Sequence, residues 1–319
     1  MDERTGRVTI EASLLTSILA ATIIAGTPLI LAALGELVTE RSGVLNLGTE
    51  GLMSIGAVAG FAAAHHSSSA AIGALAGSAA GAALALLFAF VAITLAANQV
   101  ASGLALSILG VGLAAFIGKP YESLTLPPVP AVSIPLLSGI PVLGPALFAQ
   151  QPLVYASWLL FGAITWFLHR SRAGLVLRAI GEAPHSAFAL GLHVIRVRYA
   201  ATLFGGAMAG LGGAFLSVCY TPAWVEGMVA GRGWIALALV VFATWRPARV
   251  LLGAYVFGGV MIAQLFVQGS GAQLEVPSQL LSALPYIATI VVLVLISRNP
   301  NTIRLNSPAS LGQRYRPEP

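Results

Sequence analysis

The feature that most constrains this chain is repetition. Apolar runs of about 18 residues or more follow one another along it, each long enough to cross the hydrocarbon core of a bilayer as a helix. In that layer no water satisfies backbone N–H and C=O groups, so a series of such runs admits a helical bundle and excludes open sheets and lipid-exposed loops. With one shorter stretch at 232–244, the candidate segments cover roughly 12–35, 43–65, 70–96, 99–118, 152–169, 197–219, 232–244, 249–270 and 279–297. Only 8% of the 319 residues are charged against 57% hydrophobic, too few charges to clothe a water-facing surface. The reading is an all-α polytopic transmembrane bundle of about 8 to 10 helices. The opening MDERTGRVTIEA is too acidic and too long for the start of a cleavable leader, so the first run is expected to stay as a membrane helix.

Arginine sets the orientation, because cytoplasmic loops keep Lys and Arg. Arg170, Arg172, Arg178, Arg196 and Arg198 fall between the fifth and sixth runs, Arg246 and Arg249 between the seventh and eighth, and Arg298, Arg304, Arg314 and Arg316 after the last. The proline-rich stretch 119–151 has Lys119 as its one basic residue. These place 170–196 and 298–319 in the cytoplasm and 119–151 outside, around a transmembrane domain of 12–297. Residues 1–11 also read as cytoplasmic from Arg4 and Arg7, weakly offset by Asp2, Glu3 and Glu11, but parity then forbids five full spans between two inner ends. A broken or re-entrant segment resolves the conflict. The best candidate is 43–65, entered through RSGVLNLGTEG, which puts Arg41, Asn46, Thr49 and Glu50 where lipid-facing helix is expected. Non-helical backbone at that depth needs protein or a water-filled cavity around it. The alternative is an outside N-terminus with every run spanning.

Glycine spacing carries information about packing. Gly73, Gly77 and Gly81 form successive small-xxx-small steps, and Gly206 with Gly210 another, which lets helix backbones touch in lipid. SGVLNLGTEGLMSIGA and AGRGWIALALVVFA each lead from a polar glycine stretch into an apolar helix, a hint of an internal repeat. Catalytic signatures are missing. No GxxxxGK[ST] loop occurs, and Gly118-Lys119 is followed by a proline that would stop a phosphate-cradling helix, so any ATP is bound by another subunit. There is no GxSxG or HExxH, the single Cys219 excludes an internal disulfide, and no Cys/His cluster has metal-ligand spacing. His65 and His66 beside SSS read as an interfacial turn, and Glu36 with Glu40 as a solvated helix end rather than an acid/base pair. An ionisable group at membrane depth is costly unless it faces a cavity or a partner. That singles out Glu50, Glu226 and Arg232, with Asn46, Asn98 and Gln99 as polar companions.

The arginine loop, RSRAGLVLRAIGEAPHSAFALGLHVIRVRYAA, has a middle that reads as a short amphipathic helix over 182–191, closed near Gly191. Such a helix can lie on lipid headgroups or dock in the groove of another protein. From about residue 12 to 297 the chain resembles the permease subunits of ATP-binding cassette importers of the branched-chain amino acid, ribose and nucleoside class. GELVTERSGVLNLGTEGLMSIGAVAGF, ANQVASGLALSILGVGL and GRGWIALALVVFATWRPARVLLGAYVFGG look like the form found in nucleoside and simple-sugar uptake permeases. The arginine loop is similar to that family's coupling segment, T-x-x-G-x-x-x-R-A-x-G-x-x-P-x-A-A-x-x-x-G-I. Onto it map Gly174, Arg178, Ala179, Gly181, Pro184, Ala187 and Gly191, with Glu182 inside the segment. Ser171 replaces the threonine, Ser186 the first alanine of the pair, and Leu192 the final isoleucine.

The resemblance implies a non-catalytic half of an importer in the bacterial inner membrane. Its expected partners are a second, paralogous permease subunit, an ATP-binding cassette subunit that carries ATP and Mg, an extracytoplasmic substrate-binding lipoprotein, and membrane lipid; nucleic acid is not among them. No cofactor or metal is expected on the chain itself. Asn46, Glu50, Asn98, Gln99 and Arg232 are the expected lining of the substrate path. Arg178, Gly181, Glu182, Pro184, Ala187 and Gly191 are the expected ATPase coupling residues. The expected solute is a nucleoside or similar ribose-bearing molecule, with a simple sugar or other small polar solute as alternative. An ion-coupled secondary transporter is the rival of a different class, and Glu50 is the one carboxylate placed to serve it.

Overall fold

The computed structural model describes residues 3–269, a few positions between 283 and 294, and 306–316. Apart from those few positions, the expected last run at 279–297 lies outside the described residues. Eleven α-helices carry the described chain: α1 (Glu3–Arg41), α2 (Thr49–Ser67), α3 (Ala70–Ala89), α4 (Gln99–Gly118), α5 (Leu143–Phe148), α6 (Pro152–Arg170), α7 (Arg172–Glu182), α8 (Pro184–Ala189), α9 (Val194–Phe215), α10 (Arg232–Phe242) and α11 (Pro247–Gly269). Helices α3 and α9 each run on into a π-helical turn, to Thr94 and Tyr220. Among the described residues, six helical stretches are long and apolar enough to cross a membrane, so the chain is a polytopic helical membrane protein. Two short strands, β1 (Val132–Ser133) and β2 (Ala149–Gln150), pair antiparallel within the proline-rich stretch 119–151.

Helix α2 occupies the centre, against α3, α4, α9 and α10, and most of its residues are buried. The predicted glycine seams are where α3 meets α2 and α9. A Cβ on Gly81 would strike the carbonyl oxygen of Gly206, one on Gly210 that of Gly77, and one on Gly77 would lie 2.6 Å from Gly56 O. These contacts are backbone against backbone, so only glycine permits them.

Two ends are distinguished by their contacts. At one, Arg41 closes α1 and donates to the carbonyls of Asn306 (3.0 Å) and Trp245 (2.8 Å), while Gly181 of α7 packs on Arg41. At the other, the 119–126 stretch bridges to 222–224, and His66 shares a 3.1 Å hydrogen bond with Tyr121. Helix α1 is continuous over 39 residues, about 58 Å, so its beginning points away from the arginine-rich end. That geometry separates the start of α1 from the side of the arginine loop, where Arg4 and Arg7 taken alone would put it. The physical reason is the weak charge bias of residues 1–11, where Asp2, Glu3 and Glu11 cancel Arg4 and Arg7.

A second difference concerns Glu36 and Glu40. They sit on the last turns of α1, but the end is covered rather than solvated: Glu36 is 3% and Glu40 1% exposed. Trp245 Nε1 donates to Glu40 Oε2 at 2.5 Å, and Asn46 N donates to Glu36 Oε1 at 3.2 Å.

Candidate functional site

Between α1 and α2 the chain leaves the helical path over residues 42–48, and Ser42, Gly43, Val44, Asn46 and Gly48 are buried there. Such backbone survives at membrane depth only if protein supplies its hydrogen bonds. It does. Leu45 N donates to Gln99 Oε1 (2.8 Å), Gly48 N to Asn46 Oδ1 (2.9 Å), and Arg198 Nε to Ser42 O (3.1 Å). The Asn46 bond to the amide two residues on is an Asx turn, the conformation that starts α2. Asn46 is therefore a turn former, 1% exposed, with its amide held by Glu36.

Glu50, in the first turn of α2, binds a second broken segment. Helix α10 has 11 residues and spans about 16 Å, too short to cross the membrane, and it follows the non-helical 221–231. Its start lies against Glu50: Gly231 N donates to Oε1 at 2.8 Å and Gly233 N to Oε2 at 2.7 Å. A carboxylate placed on the free amides of a helix start satisfies those donors and opposes the positive end of the helix dipole. The two glycine-led stretches that hinted at a repeat are thus the two helix starts that meet. Gly233 has no room for a side chain, since its Cβ would lie 2.5 Å from the backbone N of Glu50. Arg232 lies between Gly231 and Gly233. It donates to Met228 O (2.8 Å) and Val229 O (3.1 Å), with its guanidinium 5.8 Å from the centre of the Tyr220 ring.

Of the expected path residues, the fold brings Asn46, Glu50 and Gln99 together around 42–48 and links Arg232 through the first turn of α10. Gln99 is 3% exposed and joins loop to C-terminal segment, accepting from Leu45 and donating to Gln313 O at 3.2 Å. Asn98 stands apart as an exposed N-cap of α4, accepting from Ala101 N at 3.0 Å. Glu226 is exposed in the 221–231 stretch and joins none of these. An apolar crevice of about 600 Å³ between α1, α6, α7 and α9, walled by residues such as Val38, Phe167 and Phe204, has apolar lining and suits hydrocarbon rather than a polar solute.

The arginine loop expected to serve coupling is two helices, not one. Ser171 caps α7 by accepting from Gly174 N at 2.9 Å, and α7 ends where Ala183, extended at φ −144° before Pro184, breaks the helix. Pro184 then opens α8 at its first turn, the position where its missing N–H costs nothing. The segment closes as expected at Gly191, with φ +82° and its amide bonded to Phe188 O at 2.8 Å. Pro184 and Ala187 face inward, while Phe188 (48%) and Leu190 (81%) project outward. Gly181 touches Arg41, and Glu182 accepts from Ala309 N at 3.3 Å. Arg178 is half-buried on α7.

Sequence reasoning missed Glu36, Glu40 and Arg198 as interior groups. Arg198 was read as an orientation charge, yet it is 2% exposed and donates to Ser42 O and Ser310 Oγ. No local signal marks it, because its partners lie 156 and 112 residues away along the chain.

Residues 18–296 match the family described as branched-chain amino acid transport system / permease component. A candidate glucose ABC transporter permease protein of Haloferax volcanii is 40% identical over 96% of this chain and 99% of its own length. The guanosine ABC transporter permease protein of Bacillus subtilis is 35% identical over 88% of this chain and 92% of its own. For the nucleoside ABC transporter permease protein of Lactococcus lactis the figures are 32%, 87% and 91%. With the family match spanning nearly the whole bundle, the chain belongs to the branched-chain amino acid transport system permease components, multi-pass, non-catalytic and cofactor-free subunits of ATP-binding cassette transporters in the cell membrane.

Proposed function

We propose that this chain is half of the membrane path of an ATP-driven importer for a nucleoside or similar ribose-bearing solute. The observation that carries the solute class is likeness over nearly full length to two permeases named for guanosine and for nucleosides. Likeness at 40% to a candidate glucose permease favours a second reading, a simple sugar. Both share one architecture. The partners are a second permease subunit, paralogous to this one, an ATP-binding subunit that holds ATP and Mg, and an extracytoplasmic binding lipoprotein. The arginine-rich end faces the cytoplasm, and 119–151 faces outward.

In this reading α8 is the part that the ATPase grips. Its outward Phe188 and Leu190 suit insertion in an apolar groove, and the left-handed turn at Gly191 lets the chain leave the groove sharply. Movement of α8 reaches the membrane through Gly181 on Arg41, at the head of the 42–48 loop. Helices α2 and α10, tied at Glu50, then shift as a unit and change access to the path.

The test is uptake by proteoliposomes that contain this chain with its second permease subunit, ATPase and binding protein. Labelled guanosine is expected to accumulate in the presence of internal ATP, and excess glucose to leave that uptake unchanged. Accumulation of glucose with no guanosine uptake would establish the sugar reading instead.

A further inference from the structure

Residues 306–316 are held from several sides at once. Ser310 donates to Gly181 O twice, from its backbone N (3.0 Å) and its hydroxyl (2.7 Å), and its oxygen receives Arg198 at 3.1 Å. Gly312 N donates to Gly43 O at 3.3 Å, and Gln313 O accepts from Gln99 at 3.2 Å, so the segment also bonds the buried loop and its brace. Past these, the Tyr315 ring enters the protein. It is 6% exposed in an apolar cluster with Ile180 of α7, Ala187 of α8 and Val194 of α9. The Arg198 guanidinium lies 5.4 Å from the ring centre, within cation–π range, and the His185 ring lies 5.2 Å away.

Helix α8 needs such support. Six residues are far below the length at which a helix holds itself, and α8 buries only Pro184 and Ala187. The break at Ala183 makes its junction with α7 a joint. The 306–316 segment bridges that joint: Ser310 and Ala309 bond Gly181 and Glu182 before it, and Tyr315 packs on Ala187 and His185 after it.

We propose that Tyr315 is a positioning residue for α8, and that 306–316 is a strut that fixes α8 relative to the buried 42–48 loop. Displacement of α8 is then transmitted to Gly43 and Gln99 by a second route, besides the contact of Gly181 with Arg41. This rests on the reading of α8 as the ATPase-docking helix. Without the strut, α8 still meets the ATPase but swings about Ala183, and the stroke is lost at the joint.

The test uses the complete reconstituted complex with three substitutions. In Tyr315→Ala the ATPase subunit is expected to co-purify at the wild-type ratio and to keep its basal hydrolysis. Stimulation by loaded binding protein and solute uptake should both fall by about fivefold or more. Tyr315→Phe, which keeps the ring, is expected to restore both. Wild-type stimulation in Tyr315→Ala would overturn the proposal, and so would loss of the ATPase subunit from that variant, since Tyr315 would then serve docking itself. If Tyr315→Ala does not fold, Ser310→Ala gives the answer, because it removes the hydroxyl bond to Gly181 and the acceptor for Arg198 while the backbone bond and the ring stay; an unchanged ratio of stimulated to basal hydrolysis there overturns the strut. Leu190→Asp keeps the two ideas separable. It should release the ATPase subunit, and retention of a fully stimulated subunit by that variant would remove the docking reading itself.

Discussion

Both carboxylate oxygens of Glu50 are occupied by the first turn of α10, and this dictates how substitutions there act. Glu50→Ala leaves the amides of Gly231 and Gly233 without acceptors in a site that water does not reach freely, a loss of about 3 kcal/mol for bonds to a charged group. Glu50→Gln keeps one acceptor oxygen and turns an NH₂ toward the other donor, so it should fall between. The expected order of melting temperature in detergent is wild type, then Glu50→Gln, then Glu50→Ala, with uptake following the same order. A Glu50→Ala subunit that melts like wild type but transports nothing would show instead that the carboxylate meets the solute. Asn46 differs in kind, because its side chain shapes the turn into α2 and its amide is held by Glu36.

Among the elements, α2, α3 and α9 are packed so closely that the backbones themselves form the interface, and this part was legible beforehand. Small-xxx-small spacing is a property of a single helix, so Gly77, Gly81 and Gly210 announce it without knowledge of the partner. Gly81→Leu is expected to abolish folded, monodisperse protein in detergent, since the obstacle is the carbonyl of Gly206 and no rotamer avoids it. Gly112→Ala on α4 and Gly162→Ala on α6 should retain wild-type yield or gain up to about 1 kcal/mol, because a Cβ at either meets nothing within 4 Å. Equal yield from Gly81→Leu would mean that α3 and α9 separate in solution. The broken helix before Glu50 was legible for a similar reason, as polar residues interrupt an apolar run. The cover over Glu36 and Glu40 was not. It is built from Trp245 and a segment whose Asn306 lies 265 residues from its partner Arg41, and no local pattern encodes such a meeting. Helix α7 lies before the 182–191 helix expected from the sequence, and its apolar face is carried by Leu177 and Ile180, three residues apart.

On the scale of the whole molecule, the two ends differ in construction, and the difference predicts which side each faces. One end gathers Arg41, α7, α8, Trp245 and 306–316, and has the arginine-rich loops. The other gathers the end of α2, the 119–126 stretch and 222–224, with few basic groups. Arginine retained on the cytoplasmic side predicts that the first end lies inside. Helix α1 begins far from it and ends within it, so residues at the start of α1 should lie outside, although Arg4 and Arg7 taken alone suggest the reverse. The chain has one cysteine, Cys219, buried at 8% exposure, so an impermeant maleimide reports introduced thiols with little background. In intact cells Thr5→Cys should label fully and Arg316→Cys should not, while permeabilisation should expose Arg316→Cys to the same degree. Labelling of both from outside, or of neither, would mean an even number of crossings between the two ends, and the side assigned to each helix end would have to be worked out anew.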